Sequence, residues 1–156
     1  MESLHPRVVH FPVALLLAAL LVETVALLLR NPAWHRVSLW NVVLGTLGAG
    51  AAVVTGRLAM AVGKHSYAIH QVMSLHERLG YVVLGVVVGV TLWRLAVRDR
   101  LSTRSRWLAW ILLCFACGVM VFSAHLGGRL VYEFGVGGSY GRSGGIRVEE
   151  VEPVVR

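Results

Sequence analysis

Apolar residues in this chain gather into four long runs separated by short polar breaks. A helix rising 1.5 Å per residue needs about 20 residues to cross a hydrocarbon core of about 30 Å. Stretches of that length run roughly over 8–29, 39–62, 79–97 and 107–126. Asn31-Pro32 stops the first, and Pro12 falls in its opening turns, where a missing backbone N–H costs least. Its core, Val13 to Leu29, exceeds the roughly 7–15 residues of a signal-peptide core and lacks a small-residue cleavage pattern, so it reads as a retained span. Trp34, Trp40, Trp93, Trp107 and Trp110 sit where headgroup-level aromatics belong. The pattern predicts an all-α fold, a four-helix transmembrane bundle of up-down-up-down topology, because short connections make neighbours antiparallel. The membrane domain covers 1–138, and a polar, acidic tail covers 139–156.

Within the runs, small residues recur on one face. Gly45, Ala49, Ala52 and Gly56 form one stripe on the second helix, and Gly85 and Gly89 stand four apart on the third. In lipid such stripes let helix backbones approach closely, and a smooth wall also leaves room for a flat macrocycle. After Leu126 the character changes to a glycine-punctuated segment, Gly127 to Gly138, whose centre at Leu130-Val131-Tyr132 reads as strand-like.

Composition agrees with lipid as the solvent. The 156 residues are 56% hydrophobic, above the roughly 45–50% of soluble domains. The net charge of +7 comes from arginines that punctuate apolar runs, with no basic stripe interleaved with aromatics, so nucleic acid is not an expected partner. Arg94, Arg98, Arg100, Arg104 and Arg106 crowd the connection between the third and fourth spans, and Arg30 and Arg36 the first connection. The positive-inside rule then puts both termini and the second connection outside a prokaryotic cytoplasmic membrane.

On that topology His5, His10, His65, His70, His76 and His125 fall on the outer side and only His35 on the other. His10, His76 and His125 stand within about a turn of a span end, where ionisable groups at membrane depth point to function. Imidazole is an axial ligand of haem and a ligand of zinc and copper. In a square bundle the first and third helices are diagonal, so His10 and His76 are the first-choice pair for haem b. His125 is the alternate, and His5, farther out, supports a ligand or sits at the interface. Gly80, one turn past His76, leaves space beside the ring, and Gly56 lines a wall. Arg57, Arg78 and Arg129 lie on the same side, as cations for propionates. A copper or zinc site on His10, His76 and His125 is the alternative, and each histidine has a plainer reading as an interfacial hydrogen-bonding group. Met73 reads as a packing residue and His70 as a loop residue.

Two further features have structural readings. Glu23, the one acid inside a span, is at compatible depth to pair with Arg94, against a reading as a proton-carrying carboxylate. Cys114 and Cys117 read as small core residues rather than a soft-metal site, and Gly118 after Cys117 excludes c-type haem attachment. No phosphate loop, nucleophile–base pair or two-carboxylate constellation is present.

The chain resembles DUF2231, a bacterial membrane family known as a domain of unknown function. The resemblance rests on His5-Pro6, Val9-His10-Phe11-Pro12, His76 ahead of Leu79-Gly80, and His125-Leu126-Gly127-Gly128-Arg129-Leu130-Val131-Tyr132 closing in Gly135-Val136-Gly137. It implies a four-helix integral membrane protein, sometimes attached to or beside redox domains such as Rieske centres. The expected function is a small b-type cytochrome-like electron-transfer subunit, an accessory rather than a stand-alone enzyme, in contact with lipid and with other subunits of a complex. A non-redox structural or assembly subunit is the alternative.

Overall fold

The computed structural model describes residues 4–62 and 67–133, and everything said of the fold concerns those residues. They form α1 (Leu4–Val8), α2 (His10–Leu29), α3 (Pro32–Val62), α4 (Tyr67–Ala96) and α5 (Thr103–Tyr132), with no strand among them. Bonds from Val9 N–H to the His5 carbonyl (3.1 Å) and from Val13 N–H to the Val9 carbonyl (3.3 Å) carry the helical pattern across the joint between α1 and α2. The break between them has a local cause: Pro12 has no N–H to offer the Val8 carbonyl. Counting α1 and α2 as one span, four helices are long and apolar enough to cross a membrane.

The connections follow from their residues. Arg30 takes the left-handed conformation (φ 50°) and closes α2, with Asn31 N–H reaching back to the Ala26 carbonyl at 3.3 Å. Asn31 then caps α3 by accepting from Ala33 N–H at 2.9 Å, with Pro32 at the first helical position. Ser102 caps α5 by accepting from Ser105 N–H. The helices exceed the apolar runs: α3 begins at Pro32, behind the Asn31 cap, rather than at 39, α4 at Tyr67 rather than 79, and α5 continues to Tyr132.

That last boundary corrects the strand-like reading of Leu130-Val131-Tyr132. The segment is the final turn of α5, and Leu130 is buried against the bundle. His70 is likewise on α4, exposed, rather than in a loop. His65, the end of the glycine-rich segment beyond Glu133 and the 139–156 tail lie outside the described residues.

α2 packs on α3 and α5, and α4 packs on the same two, so α2 and α4 face each other diagonally. Inward positions recur at heptad spacing. They are Pro12, Leu16, Ala19, Glu23 and Ala26 on α2, and His35, Ser38, Val42 and Ala49 on α3. Met73, Val83, Val87, Val90 and Arg94 on α4 face Ala109, Leu113, Ala116, Met120 and Ser123 on α5. This is the seam expected of left-handed packing at small crossing angles. Gly45 makes room for a neighbouring side chain: a Cβ there would stand 2.7 Å from Leu16 Cδ2. Gly85 and Gly89, by contrast, are exposed with nothing within 4 Å of an added Cβ, so that pair does not mediate packing within the bundle.

Candidate functional site

The core of the bundle is apolar through its middle, and polar groups concentrate at its two ends. At the end that carries α1, the helices line an open cavity of about 860 Å³. His5, His10, Arg57, His76, Glu77 and Ser123 supply its polar lining. Most of the remaining wall is apolar, including Met60, Met73 and Met120.

Two imidazoles meet in this cavity. The rings of His5 on α1 and His76 on α4 have centroids 6.2 Å apart at an interplanar angle of 78°. They come from diagonally opposed spans, and both are partly buried. His5 Nδ1 lies 3.2 Å from Thr55 Oγ1 on α3. His76 Nδ1 lies 2.9 Å from the Ser123 carbonyl and 3.0 Å from Ser123 Oγ on α5. Each ring also rests on a glycine. A Cβ at Gly56 would stand 3.1 Å from His5 Cε1, and one at Gly127 would stand 3.2 Å from His76 Cε1.

The other expected site residues fall as follows. His10 lines the same cavity but is exposed, and its Nδ1 donates to the Pro6 carbonyl at 2.6 Å. The ring paired with His76 is therefore that of His5. His125 is exposed on α5 and is not part of the cavity wall. Gly56 and Gly80 both line the cavity, and an added Cβ at Gly80 would meet only Val53, at 4.0 Å. Arg57 is at the mouth, donating to Glu77 (3.1 Å) and to Tyr81 Oη (2.9 Å), while Tyr81 itself donates to Glu77 at 3.2 Å. Arg129 pairs with Glu133 one turn on, at 2.9 Å, and Arg78 is exposed. An anionic ligand group would thus compete with Glu77 for Arg57. Among the described residues, no three side chains of His, Cys, Asp or Glu are grouped so as to hold a metal ion.

At the opposite end Arg94 is the centre of a buried network. Its Nη1 donates to Glu23 Oε2 (3.1 Å) and Ser38 Oγ (3.3 Å), and its Nη2 to the His35 carbonyl (2.8 Å) and Asp99 Oδ2 (3.4 Å). Nε donates to Asp99 Oδ1 at 3.0 Å, so all of the guanidinium N–H groups are used. His35 Nδ1 donates to Glu23 Oε1 at 2.7 Å, and Arg106 Nη2 to the Asp99 carbonyl at 2.8 Å. Glu23 and Arg94 are each 1% exposed. Two carboxylates face two guanidinium groups, so the charges balance where they could not be left single. The pairing of Glu23 with Arg94 is the structural reading taken from sequence.

Sequence reasoning missed the rest of this network, and it missed Thr55, Ser123 and Gly127 beside the imidazoles. The available signal was register. Stepping back from Glu23 along α2 through Leu16, Pro12 and Val9 lands on His5, whereas His10 falls on the exposed face with Ala14, Leu17 and Leu21. The same count on α4 runs from Val90 through Val83 to His76.

A family model described as "Predicted membrane protein (DUF2231)" matches residues 1–139. No curated protein and no solved structure matches the chain.

Proposed function

This chain belongs to the DUF2231 family of predicted membrane proteins, and we propose that it is a b-type cytochrome-like electron-transfer subunit. In this reading haem is held in the cavity between His5 and His76, on the outer side of a prokaryotic cytoplasmic membrane. The observation that carries the reading is the imidazole pair itself. Two imidazoles from diagonally opposed spans enter one cavity with their ring centroids 6.2 Å apart, so both could serve a single cofactor there. The cavity volume of about 860 Å³ falls within the 300–1,000 Å³ typical of small-molecule and cofactor sites. Haem would supply one-electron chemistry, and the chain's own residues would bind and orient it and keep lipid and water from the iron. His5 and His76 would provide nitrogen ligands, Gly56 and Gly80 would leave the walls smooth, and Arg57 would supply positive charge at the mouth. Partner subunits would donate and accept the electron.

The test is the visible spectrum of the purified full chain, oxidised and then reduced. A Soret band with α and β bands that sharpen on reduction is expected. His5→Ala and His76→Ala should each abolish them, while His10→Ala and His125→Ala keep them. A colourless, folded protein refutes the haem reading, and bands retained in His5→Ala or His76→Ala refute the pairing. Fusing a periplasm-active reporter after residue 100 and another after residue 133 checks the orientation, with activity expected only from the second.

A copper site is the second reading, favoured by Met60, Met73 and Met120 lining the same cavity as the two imidazoles. Thioethers select Cu(I). Elemental analysis of the same preparation distinguishes it, with stoichiometric copper and no haem bands as its signature. A colourless, metal-free preparation leaves a structural or assembly subunit.

A further inference from the structure

We infer that Thr55 with Gly56 on α3, and Ser123 with Gly127 on α5, are positioning residues that hold His5 and His76 with the ring proton on Nδ1 and the Nε2 lone pair free. The inference rests on the proposed site for the identity of the ligand, but not for the ring states themselves.

The argument is one of donors and acceptors. A carbonyl oxygen only accepts, so the 2.9 Å contact between His76 Nδ1 and the Ser123 carbonyl requires a proton on Nδ1. Ser123 Oγ, 3.0 Å from the same nitrogen, is a second acceptor, because its own proton points to the His76 carbonyl at 3.4 Å. His5 reaches the same state by another route. The Thr55 hydroxyl spends its single proton on its own helix, with the Ala51 carbonyl at 2.9 Å and the Ala52 carbonyl at 3.1 Å. It therefore accepts from His5 Nδ1 at 3.2 Å. Both rings are left with the lone pair on Nε2, because the hydrogen bonds described for each are made at Nδ1. A metal-ligating histidine needs this arrangement: one nitrogen anchored as N–H to the protein, the other free to bind.

The glycines fix the remaining freedom, which is the tilt of each ring. Added Cβ atoms at Gly56 and Gly127 would press on the imidazoles at 3.1 and 3.2 Å, tighter than ordinary contact, whereas Gly85, Gly89, Gly118 and Gly128 have nothing within 4 Å. Hydroxyl and glycine are adjacent on α3 and one turn apart on α5, so in each case one helix face offers an acceptor and a flat seat to the same ring.

The test uses the full chain in lipid nanodiscs with ¹⁵N-labelled histidine. His5 and His76 are identified by the signals lost in His5→Asn and His76→Asn. Both should show a protonated Nδ1 and a bare or metal-bound Nε2; a protonated Nε2 in either overturns the inference. Gly127→Ala should move the His76 resonances while Gly85→Ala leaves them in place, and an unmoved His76 also overturns it. Should Gly127→Ala fail to fold, Ser123→Ala serves instead: it keeps the carbonyl and hence the tautomer, and the Nδ1–H signal shifts. Thr55→Val should weaken retention of haem or copper by roughly 10–100-fold, the usual effect of losing a partner that orients a ligand, and Thr55→Ser should restore it. Unchanged retention in Thr55→Val refutes the positioning role. Colourless protein with the stated tautomers would sink the haem reading and leave this inference standing.

Discussion

Replacing Arg94 with methionine tests whether the buried network holds the helices together. Arg94 is 1% exposed, and its guanidinium bonds to Glu23, Ser38, the His35 carbonyl and Asp99, which joins α4 to α2, α3 and the 97–102 connection. Methionine fills much of the volume but leaves Glu23, also 1% exposed, with only His35, and Asp99 with only Arg106. Removing one member of a buried pair costs about 3–5 kcal/mol, because the surviving charge is stranded. An interhelical hydrogen bond in a membrane protein, by comparison, averages about 0.6 kcal/mol. Arg94→Met is therefore expected to cost several times an ordinary polar contact. In the double variant Glu23→Leu/Arg94→Met the Glu23 carboxylate disappears while Asp99 keeps Arg106, and the loss should fall short of the sum of the singles by about 1.5–3 kcal/mol, within the range for residues sharing one network. The measurement is reversible unfolding of the full chain in bicelles, followed by far-UV circular dichroism across the double-mutant cycle. Singles that add to within about 0.5 kcal/mol would refute the reasoning, and so would an Arg94→Met cost no greater than about 0.6 kcal/mol.

Gly45→Ala, whose Cβ would stand 2.7 Å from Leu16, should destabilise by about 1–3 kcal/mol as an overpacked contact. Gly89→Ala, with open space around it, should be neutral or stabilise by up to about 1 kcal/mol, and thermal unfolding separates the two. Trp110 Nε1 donates to Thr24 Oγ1 at 2.8 Å, so Trp110→Phe should cost about 0.6–1.7 kcal/mol and remove a slow-exchanging indole N–H from the NMR spectrum. At the end of α5 the Arg129 guanidinium holds the Glu133 carboxyl below its ordinary value of 4.5 by hydrogen bonding. A depressed folded-state value means that the contribution is present above the unfolded value and lost as pH falls through the folded one. Amide protection factors in the last turn of α5, corrected for the intrinsic pH dependence of exchange, should accordingly fall on acidification below that ordinary value, and Glu133→Gln should remove this fall without moving the global transition.

Length and apolar content were enough to read the number of helices, their antiparallel order and the diagonal placement of the first and third spans. Ends were harder, because caps such as Asn31 with Pro32 and Ser102 extend helices through polar residues that a hydropathy reading assigns to connections. Glu23 and Arg94 were paired by depth alone. His35 and Asp99 escaped because each looked like a connection residue, yet one sits in the first turn of α3 and the other in a left-handed turn at φ 54° that folds it back onto Arg94. Proximity to a span end favoured His10 as the ring opposite His76, whereas the heptad phase of α2, carried across the Pro12 break, selects His5. Hydroxyl and glycine partners are the least legible. Thr55, Gly56, Ser123 and Gly127 are also what any close-packed membrane helix carries, and only the approach of a ring distinguishes them.

The guanidinium knot at one end and the hollow at the other stand a long lever arm apart. Between Arg94 and His76 the α4 axis advances about 27 Å at 1.5 Å per residue. With the pivot at Arg94, each degree of splay between the diagonal spans changes the gap between His5 and His76 by about 0.5 Å over that lever arm. A tilt of about 4° would open the gap by roughly 2 Å, the length of one metal–nitrogen bond. Packing of the core between the two ends, around Val42, Val87 and Leu113, therefore bears on the spacing of two rings at the far end of the lever.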